Sequence, residues 1–156
     1  MIKGAILGVI QLALLLGIGG KLLVDRATLP RVWIRTTPYD PNLPIRGRYV
    51  SLQISAEARD FKPGVVYQGA RFSVDGEKLL AYPASDSSAV MVLVNGPVAN
   101  VSQPVAFFIP EKIPDPSRRE RGEELWMEVT VPRKGPVRPL RLGVKKDGVL
   151  TPLAID

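Results

Sequence analysis

The chain has 156 residues, room for one domain, with 21 basic and 15 acidic side chains and a formal net charge of +6. It contains no Cys and no His, which excludes disulfides, thiol nucleophiles, His–Cys zinc sites and His-based triads. All 15 prolines lie at or after Pro30, which argues against a helical bundle beyond that point, because interior proline breaks helices.

From Gly4 to Gly20 the chain runs 17 residues without a charge, and Gln11 is the one polar side chain among them. Lys21 interrupts, and Leu22, Leu23 and Val24 resume the apolar run. A membrane-spanning helix needs roughly 20 apolar residues. A lysine one turn from the end reaches the interface along its aliphatic stem. Residues 1–24 are therefore expected to form a transmembrane anchor. A core helix of a soluble domain would carry a polar stripe, and this segment has none. Gly17 and Gly19 offer a small-x-small pair to a signal peptidase. The apolar run continues past them and a single Lys precedes it, which favours an uncleaved anchor. Lys21, Arg26, Arg31 and Arg35 follow the segment, so charge counting alone leans towards a C-terminal domain on the cytoplasmic side.

Residues 25–47 read as a proline-containing linker that includes a first strand, and residues 48–156 as a β-rich domain. Val32–Arg35 is a short strand candidate. In Arg48–Ile54, Val50, Leu52 and Ile54 share one face while Tyr49, Ser51 and Gln53 share the other. Such alternation marks a half-buried strand. Ala70–Val74 and Lys78–Tyr82 flank Asp75-Gly76, which reads as a type I′ hairpin turn. Ala89–Val94 is a continuous apolar run, ended by Asn95-Gly96-Pro97, and suits a central strand. Val105–Ile109 is a further short candidate. Leu125–Val131 and Leu140–Lys146 alternate strictly, and Asp147-Gly148 turns the latter into Val149–Leu153. Seven to nine strands at this spacing predict a mainly β fold: one N-terminal transmembrane helix followed by a small antiparallel β-sandwich or barrel-like domain.

Two segments should be irregular. Thr36 to Gly47 holds Pro38, Pro41 and Pro44. Pro110 to Glu124 holds three prolines and a mixed-charge string from Arg118 to Glu124, which reads as solvated ion pairs.

Residues 46–54, Arg46-Gly47-Arg48-Tyr49-Val50-Ser51-Leu52-Gln53-Ile54, resemble the signature of the GDYXXLXY family. Thr37-Pro38-Tyr39-Asp40-Pro41 resembles the stretch that precedes that signature, and Phe108-Ile109-Pro110-Glu111 a second family element. Gly47, Tyr49 and Leu52 match. Arg48 stands where the family name has Asp, and Ile54 where it has the last Tyr. The resemblance implies a small bacterial protein with one transmembrane helix and a domain outside the cytoplasm, beside a polytopic inner-membrane protein. It implies no chemistry.

The domain beyond Lys21 carries 19 basic and 15 acidic residues, interspersed, with no basic arm and no aromatic interleaving of the kind that binds nucleic acid. No catalytic constellation and no cofactor motif is recognisable: Ser55 and the Ser85, Ser87 and Ser88 cluster sit in turn contexts, and no calcium-loop pattern occurs. The expected function is a membrane-tethered interaction or structural module for a membrane-protein partner. Arg46, Gly47, Arg48, Tyr49 and Leu52 are the candidate contact residues. A membrane-anchored hydrolase, or a domain that binds the anionic lipid surface through Arg26, Arg31 and Arg35, is the alternative. The bilayer is itself an expected partner, and oligomeric state is left open.

Overall fold

A computed structural model describes residues 2–39, 49–64, 66–110 and 112–154. Among them run one helix, α1 (Ile2–Thr28), and ten strands: β1 (Arg31–Pro38), β2 (Tyr49–Ala58), β3 (Tyr67–Asp75), β4 (Lys78–Pro83), β5 (Val90–Asn95), β6 (Val98–Val101), β7 (Val105–Phe108), β8 (Glu123–Thr130), β9 (Arg138–Lys146) and β10 (Val149–Pro152). The fold is the expected one: a single apolar helix followed by a small closed barrel of largely antiparallel strands.

The helix runs four residues past the expected end of the anchor, because Asp25, Arg26, Ala27 and Thr28 contain no breaker. Pro30 stops it, by lacking an N–H and by restricting the residue before it. The last helical bond is Leu29 N–H to the Asp25 carbonyl, 3.0 Å. Ile6–Thr28 is long and apolar enough to cross a membrane, with a mean hydropathy of 2.1 and no buried residue in its most apolar stretch. The most apolar stretch of this helix is not buried against the domain, so it is not a core helix.

The barrel is built around β2. Its N-terminal half pairs with β1 (Thr36 opposite Ile54) and with β7 (Tyr49 opposite Phe108). Its C-terminal half pairs with β6 (Ala56 opposite Ala99) and, in parallel, with β4 (Ala58 opposite Ala81). The sheet then proceeds β4–β3–β5–β6 and returns to β2, which closes a ring of five strands. A five-stranded ring is narrow, and side chains alone must fill it. The sequence supplies small ones: Ala56, Ala70, Ala81 and Ala99 are buried in the core with Phe72, Leu79 and Val92. On the other side of β2, strands β1, β8, β9 and β10 extend the sheet in that order. The alternating residues Val50, Leu52, Ile54, Leu125, Met127 and Val129 all face the core, as their period requires.

Two local readings of the sequence need correction. Asp75 pairs with Lys78, so the β3–β4 turn centres on Gly76-Glu77, one residue later than expected. Gly76 alone has positive φ there (58°), the pattern of a type II′ turn. By contrast, Asp147 (49°) and Gly148 (83°) are both left-handed, and the β9–β10 turn is the expected type I′. Asn95-Gly96-Pro97 ends β5 as expected, but the strand that follows it is not anticipated. Asn95 pairs with Val98 around Gly96 and Pro97, and the chain returns at once as β6, the strand that closes the barrel. The presence of β6 raises the count to ten. Proline is tolerated in this turn because it sits outside the ladder.

The segment between β7 and β8 is irregular, as expected, but it is packed. Pro116 is fully buried. The Asp115 carboxylate accepts from the Ser117 N–H at 2.9 Å and from the Ser117 hydroxyl at 2.7 Å. Lys146 reaches Glu123 at 3.4 Å and Glu120 at 3.8 Å, which ties the charged string to β9.

Candidate functional site

Of the five candidate contact residues, Arg46, Gly47 and Arg48 lie outside the described residues, as does the proline loop from Asp40 to Pro44. Tyr49 and Leu52 are described, and they point to opposite faces of β2. Leu52 has 0% exposure and belongs to the core, so it takes no part in an outward surface. The spacing of three places it on the other face of a period-two strand from Tyr49.

Tyr49 is half-buried and pairs across the strands with Phe108, their ring centroids 6.0 Å apart and tilted by 59°. Such tilted aromatic pairs are favourable beyond their buried area. Phe108 is 74% exposed on β7, and Tyr39, whose N–H donates to the Ser51 carbonyl at 2.8 Å, is 58% exposed. Among the described residues β7 pairs with β2 alone, so its other edge is open. Of the two stretches singled out in the sequence, the described residues Tyr49 and Phe108 thus meet on neighbouring strands. Their meeting point is an exposed aromatic patch beside an open strand edge. Phe107, the next residue on β7, lines one cavity with Arg26 of the helix, which puts this edge near the helix terminus.

The outer face of β1, β8 and β9 carries both tryptophans. Trp33, Glu128 and Arg141 lie in one cross-strand row. The Arg141 guanidinium donates to Glu128 at 2.7 Å and sits 5.4 Å from the Trp33 ring centroid. In the neighbouring rows, Lys145 Nζ lies 4.5 Å from the Trp126 ring centroid, and the Trp126 indole N–H donates to Glu124 at 3.1 Å. Arg35 reaches Glu124 at 3.3 Å. Each aromatic face is therefore already covered by a cation, and each carboxylate is paired. This is a surface that stabilises itself.

At the junction of helix and barrel, the chain passes from Thr28 to Arg31 through two residues only. Three ties hold the junction. Asp25 pairs with Arg138 at 3.3 Å, the Arg31 guanidinium donates to the Arg26 carbonyl at 2.6 Å, and the Val131 N–H donates to the Pro30 carbonyl at 2.9 Å. The helix is therefore braced against the barrel and is not carried on a loose stalk. A cavity of about 1020 Å³ opens between them.

Ser55 and Ser88 are engaged locally. Ser55 donates to Asn100 Oδ1 at 2.7 Å. The Ser88 hydroxyl and N–H both donate to Asp86, which also meets Arg71. Donation from the Ser88 hydroxyl, then from its N–H, with the Arg71 charge, holds the Asp86 carboxyl below the ordinary carboxylate range. Among the described residues no group of three or more His, Cys, Asp or Glu stands close enough to hold a metal ion.

No family model matches the chain, and neither a curated protein nor a solved structure is similar to it.

Proposed function

We propose that the chain is a single-pass membrane protein of the bacterial inner membrane. Its β domain lies outside the cytoplasm and serves as an interaction module for a polytopic membrane partner, as the GDYXXLXY resemblance implies. The observation that supports this reading is the join between a helix whose most apolar stretch is unburied and a closed barrel, braced through a two-residue connection. Such a join holds the barrel against the bilayer surface. Confinement there raises the effective concentration of any membrane partner.

The contact surface in this reading is the aromatic patch of Tyr39, Tyr49 and Phe108 with the open edge of β7. Aromatic residues are enriched in interface cores, and an open edge offers main-chain hydrogen bonds. The neighbouring Arg46 and Arg48 would supply charge. The test has three arms. The full-length chain should resist carbonate extraction from membranes. A C-terminal alkaline phosphatase fusion should be active and a C-terminal green fluorescent fusion dark. Phe108→Ser with Tyr49→Ala should abolish cross-linking to the membrane partner while the domain stays folded. Carbonate release would end the anchor reading, the inverse fusion pattern would invert the topology, and retained cross-linking would move the interface elsewhere.

A further inference from the structure

The cavity between helix and barrel has a composition that fits one kind of occupant. One wall is the last two turns of α1, with Lys21, Asp25 and Thr28. The other walls are β3, with Phe72 and Val74, and the segment from Val131 to Arg138. Lys21, Arg133, Lys134 and Arg138 therefore converge on one space from sites more than a hundred residues apart in the chain. Asp25 is the one carboxylate lining it, and it is already engaged by Arg138. Among the described residues no ion pair reaches Lys21, Arg133 or Lys134, and all three are exposed. Phe72 and Val74, with Leu29 at the end of the helix, give the cavity an apolar margin.

The position of the cavity along the helix is equally specific. The uncharged run from residue 4 to residue 20 covers about 25 Å at about 1.5 Å per residue, most of a hydrocarbon layer of about 30 Å. Lys21 to Thr28 then fall at the depth of the lipid headgroups. A space with three unpaired cations and an apolar margin, opening at that depth, matches a phosphate group with acyl chains attached. Free juxtamembrane cations of this kind attract anionic lipid.

We infer that this cavity binds the phosphate of an anionic phospholipid from the leaflet next to the barrel, with the acyl chains lying along α1. This rests on the reading of α1 as a membrane-spanning helix. The cations involved are not those the sequence points to. Arg35 is paired with Glu124, and Arg26 and Arg31 line a different cavity, whereas the segment from Arg133 to Arg138 reaches the helix only through the fold.

The test uses the full-length chain in detergent, with dioctanoyl phosphatidylglycerol, dioctanoyl phosphatidylcholine and inorganic phosphate as probes and the melting temperature as readout. Phosphatidylglycerol should raise the melting temperature saturably, and the other two should not. Arg133→Glu with Lys134→Glu should weaken that binding by at least about tenfold. Lys62→Glu with Lys112→Glu, the same charge change away from the cavity, should leave it intact. Equal stabilisation by inorganic phosphate would make this a free-anion site and overturn the lipid assignment. Equal loss in the two double variants would reduce the effect to net charge and overturn it as well. Carbonate extraction of the same chain separates the two readings: release refutes the anchor and the lipid site together, whereas retention without any phosphatidylglycerol effect refutes the lipid site alone.

Discussion

The ring of Trp33 packs closely against Gly143. A Cβ on Gly143 would stand 2.9 Å from Cζ3 of that ring and 3.1 Å from the Thr151 carbonyl oxygen. The glycine is thus the gap in β9 that lets the indole settle on the sheet under Arg141. Gly143→Ala is expected to cost about 1–3 kcal/mol, because ring and backbone cannot both retreat. Chemical denaturation followed by tryptophan fluorescence checks this, and an unchanged midpoint would show that the indole is free to move. Gly69→Ala should be worse, since its Cβ would collide with the Ala84 carbonyl oxygen, a backbone atom in a hairpin-like contact where the Ala84 N–H donates to Gly69 at 2.9 Å.

Leu52 and Gln53 separate the two faces of β2. Leu52→Asp should unfold the domain, because an unpaired charge at a site with no exposure costs several kcal/mol against a total of about 5–15. Period-two alternation alone would make Gln53→Asp nearly silent. The structure says otherwise: the Gln53 amide donates to the Val101 carbonyl at 2.5 Å and so pins β6 to β2. A carboxylate there has no hydrogen to donate, and a loss of roughly 1–2 kcal/mol is expected. Urea midpoints of both variants decide it; a Gln53→Asp protein as stable as its parent would mean that this bond contributes nothing.

Glu128 is only 7% exposed, and Arg141 is its partner. Arg141→Met should destabilise by about 1–3 kcal/mol, below the full cost of orphaning a buried charge because half of the arginine is solvated. Adding Glu128→Gln should restore much of the loss. A double-mutant cycle measures the coupling, and simple additivity of the two substitutions would show that the pair acts independently.

Asp86 sets a pH signature. Its carboxyl is held low by the Ser88 hydroxyl, the Ser88 N–H and Arg71, so its folded-state value lies below its unfolded one. The stability it contributes is present above the ordinary carboxylate range and is lost as pH falls through the lowered value. Asp86→Asn should therefore melt slightly below the parent at about pH 7, and the difference should shrink as pH falls below the ordinary carboxylate range. A difference constant with pH would assign the effect to something other than the carboxylate charge.

Much of the strand inventory was legible in the residues, because alternation and turn chemistry are local. Val50, Leu52 and Ile54, or Leu125, Met127 and Val129, declare a face within one short segment. Asp147-Gly148 declares its turn because both residues tolerate positive φ. The strand β6 was not legible in the same way. Gly96-Pro97 reads as the end of a strand, and only pairing with β5 and β2 makes Val98–Val101 a ladder. Exposure of Phe108 is also a matter of context: Val105–Phe108 reads as apolar throughout, and its position at the rim of the sheet is what leaves one ring in solvent.

Consecutive residues alone settle the division of the chain into an apolar helix and a β domain, and the faces of the longer strands. Helix length, hydropathy and side-chain period are properties of consecutive residues, and no long-range contact is needed to express them. Only the tertiary fold settles which strands are neighbours, that β2 shares its length among β1, β7, β6 and β4, and that the ring closes through β6. It alone brought Tyr49 to Phe108, Arg141 to Glu128, and the Arg133–Arg138 segment to the end of the helix. Those contacts join residues far apart in the chain, and a side chain carries no mark of its distant partner: a free arginine, a paired one and one that faces a bilayer are the same residue until the fold places their neighbours.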